Sequence, residues 1–242
     1  MAVKLRREGQ GRRRPRGIVR SSAPPQISRG VCVEAAGARL EGGLEIPAGA
    51  RGVVLFASEM DFGRMDPRQR DLALALNRRG LGTLLFDLVE SGDDAKAASD
   101  VDVLTERLIG ATEWTSEQWG VDGLPIGYVG SGLGAAAALS AAALLGKEIG
   151  AVATRSGRPD LAVAGLGRVW APTLLVADAD DPYMVAGTRR VAGQLHCAHQ
   201  LREVETRNGQ RGAWAATPGI CRWMEWHLGS PEVPYEPRLA LG

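Results

Sequence analysis

The 242-residue chain alternates short apolar runs with amphipathic stretches from its thirtieth residue onward. Val31–Ala35 and Leu40–Ile46 alternate apolar and polar positions around Ala36–Gly37, which predicts an opening hairpin. Gly52–Ala57 is apolar throughout, the pattern of a strand buried on both faces. Asp66–Arg79 sets Leu72, Ala75 and Leu76 at helical spacing, with Asp66 as N-cap, Pro67 at the first helical position and Gly80 as the stop. Leu81–Leu88 predicts the next strand. Asp100–Trp119 predicts a long helix with Val101, Leu104, Leu108, Ala111 and Thr115 along one face. Further strands are predicted over Ile126–Val129, Ile149–Ala153 and Pro172–Ala177, with an edge-type strand over Gln200–Glu205. A small-residue helix ending at Leu145 and helices over Tyr183–Leu195 and Pro218–Leu228 separate or follow them. This alternation predicts an α/β fold, a mainly parallel central sheet with helices on both faces. In such sheets the site lies beyond the carboxyl ends of the strands.

Charge divides the chain. The first twenty residues hold eight basic side chains against Glu8 alone, a net +7, so the remainder carries −6 within the total of +1. Residues 1–29, rich in Arg, Gly and Pro, have too little apolar surface to offset ordering and are expected to be a disordered basic tail. Residues 30–230 are expected to form the domain, and 231–242, with three prolines, an irregular C-terminal tail. An acidic body argues against a nucleic-acid-binding core, so any contact with nucleic acid or an acidic membrane falls to the tail. Cys32, Cys197 and Cys221 are few and far apart, with no disulfide or zinc pattern. Without a secretory signal after the arginines, a cytoplasmic location is expected. Leu133–Leu145 is too short and too Ala-rich for a membrane span.

The stretch LPIGYVGSGLGAAAALSAAALL, Leu124–Leu145, reads as strand, sharp corner, helix. That is the frame of a nucleophile elbow, which needs small residues two before and two after the nucleophile because strand and helix nearly touch. Gly130 and Gly134 satisfy the spacing, and the position between them is Gly132. Ser131 is one step off, with bulky Val129 and Leu133 at its flanking positions. The corner is therefore either an elbow without its nucleophile or a plain tight connection.

Several stretches together resemble the α/β-hydrolase fold, more narrowly its dienelactone hydrolase-like branch, from about Val31 to Leu228. GVVLFASEMDFGRMDPRQRDLALALNRRGLGTLLFDL looks like the family's strand, active-site loop, helix and next strand. GYVGSGLGAAAAL looks like its elbow, and TRSGRPDLA followed by APTLLVADADDP like the strand leading to its acid loop. The resemblance implies a Ser or Cys nucleophile, a His base and an orienting carboxylate. Transferred position by position, the nucleophile maps to Gly132 and the acid to Asp181, with Asp178 and Asp180 beside it. The base maps to the loop TRNGQRGAW, where Asn208, Gly209, Gln210 and Arg211 stand and no His. His196 and His199 fall at the opposite end of the last strand. His227 falls near the end of the last helix, where a cation beside the helix terminus is sufficient explanation. The family's loop Glu resembles Glu59 in Ala57-Ser58-Glu59, with Phe62-Gly63 following one residue late. Glu59 is either an inherited pocket carboxylate or a solvated loop acid.

The expectation is a pseudoenzyme: an α/β-hydrolase-fold protein without triad-type hydrolase activity that binds a small molecule or a protein partner. The backbone N–H of Leu133, next to a helix N-terminus, would still offer an oxyanion donor. Ser58, Glu59, Leu133 and Arg155 are the candidate ligand-binding residues, and Glu59, Ser131 and Asp181 the candidate pocket residues for chemistry. Arg155 or Arg158 could hold an anion, and both also fit surface or structural roles. The alternatives are an enzyme of another type, a lyase, isomerase or cyclase using Glu59 and Asp181, or a residual esterase. No cofactor and no metal are expected: the corner is not GxGxxG, and Asp178, Asp180 and Asp181 lack calcium-loop spacing. Trp223 and Trp226 could face the core or a second copy of the chain. The Gly132→Ser change is expected to lower stability without creating esterase activity.

Overall fold

Strands β1 (Ile27–Ala35) and β2 (Ala38–Ile46) pair antiparallel as the opening hairpin. Ala36 and Gly37 take φ of 47° and 78°, the left-handed two-residue turn that matches the twist of the strands it joins. The computed structural model describes residues 26–58, 64–90, 92–162, 165–205 and 210–229, with the last helix's side chains from 216 onward. Strand β1 starts inside the stretch expected to be disordered. Ile27, Ser28 and Arg29 pair with Ile46, Glu45 and Leu44, so backbone ladder bonds extend the strand where side-chain composition gave no sign of it. The remainder of the basic tail and the 231–242 tail lie outside the described residues.

Along the chain follow β3 (Val53–Ala57), α1 (Pro67–Asn77), β4 (Gly82–Phe86), α2 (Ala95–Ser99), α3 (Val101–Ser116), β5 (Ile126–Gly130) and α4 (Gly134–Leu145). Then come β6 (Ile149–Arg155), β7 (Thr173–Asp178), α5 (Pro182–Ala192), β8 (His199–Val204) and α6 (Gln210–Leu228). The strands form one sheet in the order β1-β2-β4-β3-β5-β6-β7-β8, parallel from β4 through β8. Strand β2 runs antiparallel to β4 and joins the hairpin to that parallel body. Helices α1 and α6 pack on one face, where Leu72, Leu76, Ile220 and Met224 meet Val54, Phe56, Val129 and Ala153. Helices α3 and α4 pack on the other, where Leu104, Leu108 and Ala138 meet Leu55, Tyr128 and Val152.

Several elements depart from the sequence reading, among them α5, which ends at Ala192, three residues before Leu195. Helix α3 ends at Ser116, three residues early, and Gly120 turns the chain at φ 82°. Helix α2 was not expected, because the five residues Ala95–Ser99 are too few to show a periodic apolar face; its start is an Asp94 cap accepting from Ala97 N–H at 2.8 Å. Helix α6 begins at Gln210 and carries Pro218 inside it. Proline forfeits one backbone bond, yet the helix continues because Ala216, Ile220, Trp223 and Met224 all bury against the sheet. Among the described residues no helix is long and apolar enough to cross a membrane.

Candidate functional site

The corner after β5 has the geometry that the glycine spacing predicts. A Cβ on Gly130 would stand 2.6 Å from the Gly134 carbonyl oxygen and 2.7 Å from Ala135 Cα. One on Gly134 would stand 2.1 Å from the Ala57 oxygen of β3. Strand β5, helix α4 and strand β3 therefore meet backbone to backbone, which only glycine permits at both positions. Gly132 takes φ 56°, in the left-handed region. An elbow displays its nucleophile in such a strained backbone, and here the displayed residue has no side chain.

The segment after β6 lies against that corner. Ser156 and Gly157 turn at φ 54° and 105°. A Cβ on Gly157 would come within 2.4 Å of Gly132 N and 2.5 Å of Gly132 O, so the two glycines pack backbone on backbone. Arg158 N–H donates to Gly132 O at 3.0 Å and fixes the approach.

Strands β3, β5 and β6 end side by side, with Ala57 beside Gly130 and Gly130 beside Thr154. The next residues are Ser58, Ser131 and Arg155. They lie two positions beyond Phe56, Val129 and Ala153, which face α1 and α6, so strand alternation turns all three toward that same face. The contacts agree. Ser131 Oγ accepts from Gln69 Nε2 of α1 at 3.4 Å, and Arg155 Nη2 lies 3.9 Å from Asp66 Oδ2. Asp66 caps α1 as predicted, accepting from Arg68 N–H at 2.9 Å, and also takes Arg68 Nε at 3.0 Å. Arg155 is 9% exposed. Burial pulls its guanidinium pKa down, Asp66 opposes that, and Arg68 adds to it. Among the described residues its Nη1 is buried with no hydrogen-bond partner, and Ser58 Oγ, on a residue 1% exposed, is in the same condition.

The remaining candidates are placed differently. Asp181 caps α5, its Oδ1 accepting from both Tyr183 and Met184 N–H at 3.0 Å. Arg158 is exposed and paired with Asp160 at 2.9 Å, so of the two candidate arginines only Arg155 is buried. The Arg158 pair lowers the Asp160 pKa, chiefly through its hydrogen bond. Leu133 stands at the N-cap of α4, where its backbone N–H was expected. Glu59, Phe62 and Gly63 lie outside the described residues, as do Asn208, Gly209 and the side chains of Gln210 and Arg211.

All three histidines are described, and none hydrogen-bonds Ser131. His199 opens β8, exposed, with Nδ1 against Cys197 O at 2.9 Å. His196 neighbours Gly167. His227 packs on Trp223 with ring centroids 4.4 Å apart, and burial pushes its pKa down to about 4. That corrects the reading of His227 as a helix-terminal cation: it is half-buried and neutral at pH 7. Trp223 faces the core, with Nε1 directed at Pro172 O at 3.4 Å, while Trp226 is exposed. Sequence reasoning missed Asp66 and Gln69 as neighbours of Ser131 and Arg155. Their signal was present, since the first turn of α1 must abut the strand ends. A cavity of about 370 Å³ lies elsewhere, between β2, β4 and α1, lined by Gly43, Leu74, Asn77 and Leu85 among others.

No protein-family profile matches the chain. It is 39% identical over 183 residues to proteins named for phosphoribosyl transfer in two strains of Mycobacterium tuberculosis, CDC 1551 and H37Rv. That match covers 75% of this chain and 41% of theirs, so the chain spans about two fifths of the curated relatives it matches. Among solved structures, the dienelactone hydrolase of Anabaena variabilis shares 33% identity with a TM-score of 0.78, covering 84% of this chain and 99% of the other. A dienelactone hydrolase-like promiscuous phosphotriesterase from metagenomic libraries shares 22% identity with a TM-score of 0.60 over 84% and 99% of the two chains, a likeness of fold.

Proposed function

The chain belongs to the dienelactone hydrolase family of α/β-hydrolase-fold proteins, and from that premise we propose that it binds a small molecule at the Gly132 corner without hydrolysing it. One observation carries this reading. The residue at the apex of the elbow is a glycine at φ 56°, so the position that should attack a carbonyl has no atom to do so. Acyl transfer also needs a base to take the nucleophile's proton. The three histidines sit on β8, beside Gly167 and against Trp223, and Ser131 meets Gln69 instead. An isolated hydroxyl beside an amide is a weak nucleophile. What remains is a corner with backbone donors at the start of α4, suited to holding an oxygen-bearing group.

The proton-transfer alternative has less support. Asp181 already accepts two backbone N–H bonds as a helix cap, which holds its carboxylate away from acid–base work. The name of the Mycobacterium relatives favours a phosphorylated ligand over an ester substrate. The transfer activity itself is not carried over, because the chain matches 41% of those proteins.

The test exposes the intact protein to p-nitrophenyl esters, a panel of lactones and a fluorescent fluorophosphonate probe. The expected result is turnover at the buffer rate and no labelling. Labelling that disappears in Ser131→Ala overturns the proposal.

A further inference from the structure

We propose that Arg155 and Ser58, with Ser131 beside them, form a binding site for a phosphate group, set where β3, β5 and β6 end against the first turn of α1. The proposal deepens the reading of the corner as a non-hydrolytic ligand site and rests on it.

The first argument is an imbalance of hydrogen bonds. A buried donor without a partner costs about 1–3 kcal/mol, more when charged, so such donors are rare without a reason. Here two stand at the ends of β3 and β6 on the same sheet face, with β5 between them: Ser58 Oγ and Arg155 Nη1. Ser131, on the strand between them, accepts from Gln69 and keeps its own O–H to donate.

The second argument is charge. Two arginines, Arg155 and Arg68, stand around one carboxylate, Asp66. Arg68 Nε lies within 3.1 Å of both Asp66 oxygens, and Arg155 stands off at 3.9 Å. The acid is thus largely neutralised by Arg68. Among the described residues the sum of these three charges is +1, and Arg155, which carries it, is nine-tenths buried. A buried guanidinium is costly without a counter-ion, and arginine does not shed its proton.

The third argument selects the class of anion. A carboxylate prefers the planar fork of a guanidinium, two parallel N–H bonds at once. Arg155 does not offer that fork, since Nη2 is turned toward Asp66 and Nη1 alone is unpartnered. The donors available are single N–H and O–H groups from separate strands. A tetrahedral phosphate can give a separate oxygen to each of three such donors, Arg155 Nη1 and the Ser58 and Ser131 hydroxyls, where a planar carboxylate has only two oxygens.

Isothermal titration of the intact protein with inorganic phosphate tests this, with sodium acetate and sodium chloride at matched ionic strength as the other arms. Saturable phosphate binding, at least tenfold tighter than acetate and absent with chloride, is expected. Arg155→Gln should weaken it at least tenfold, and Ser58→Ala several-fold. Ser58→Ala deletes one hydroxyl without unpairing a charge, so it serves if Arg155→Gln does not fold. Phosphate heats no larger than those of chloride, acetate binding as tight as phosphate, or phosphate binding unchanged in both variants would each overturn the site. The two readings fail separately. Absent phosphate binding with silent ester assays removes this site alone, and ester turnover inhibited by phosphate removes the non-hydrolytic reading alone.

Discussion

Substituting Gly132 by serine puts a hydroxyl where the family displays its nucleophile, and the expected outcome is a less stable protein that is still inactive. Gly132 sits at φ 56°. A residue with a Cβ pays about 1–2 kcal/mol in that region. Serine also restricts the unfolded chain relative to glycine, which returns about 0.4–1 kcal/mol. The net cost is about 1 kcal/mol, or about 2–4 °C in melting temperature for a chain of this size. Asparagine tolerates the left-handed region better than other non-glycine residues, so Gly132→Asn should lie closer to the parent than Gly132→Ser. The assay is urea denaturation of parent, Ser and Asn proteins, with midpoints compared at constant slope. A Ser variant as stable as the parent would refute the strained-corner argument. An Asn variant as weak as Ser would place the cost in side-chain volume instead of backbone handedness.

Two further outcomes are expected. Gly134→Ala should cost about 3 kcal/mol or more in the same assay, because its Cβ would stand 2.1 Å from the Ala57 oxygen and 2.5 Å from the Ala57 carbonyl carbon, which no side-chain rotation relieves. Gly43→Ala, with nothing within 4 Å of the new methyl, should be near neutral, and equal losses at the two sites would contradict the close approach. His227 binds a proton less readily folded, at about pH 4, than unfolded, at 6.5. The stability owed to its neutral ring is complete above pH 6.5 and is lost as pH falls from 6.5 toward 4. Denaturation midpoints between pH 7 and 4.5 should therefore fall less steeply in His227→Gln than in the parent, and parallel declines would refute the assignment.

The fold was legible where periodicity and punctuation agree. The run Gly52–Ala57 and the Asp66-Pro67 start placed β3 and α1 almost to the residue, since buried strands are apolar throughout and caps are local chemistry. The last helix was read eight residues short because Pro218 looks like a start, and only its tertiary contacts show that it continues. The corner was legible for a different reason. Close backbone approach removes every side chain, and the glycines record that constraint directly. The partners of Arg155 were not legible, because Asp66 and Arg155 are far apart in sequence and meet only where α1 crosses the strand ends. Asp181 was found as an acid, but its work as a cap depends on the turn of chain that follows it.

The loss of the nucleophile is not a single missing atom. Gly157 packs on Gly132 so closely that a Cβ on Gly157 would stand 2.4 Å from Gly132 N, and Arg158 N–H holds the contact through Gly132 O. The segment that leaves β6 and the apex of the elbow therefore depend on each other. Strand alternation at the end of the same β6 turns Arg155 to the α1 face, where it stands beside Asp66. Serine at position 132 would meet no histidine, and Arg155 cannot replace one, because a guanidinium that stays protonated cannot take the serine's proton. Hydrolysis would require a base in addition to the nucleophile. Gly132→Ser alone therefore leaves an acyl-enzyme without a chemical route. Fluorophosphonate labelling of the Gly132→Ser protein faster than the parent would show that a base exists where this arrangement has none.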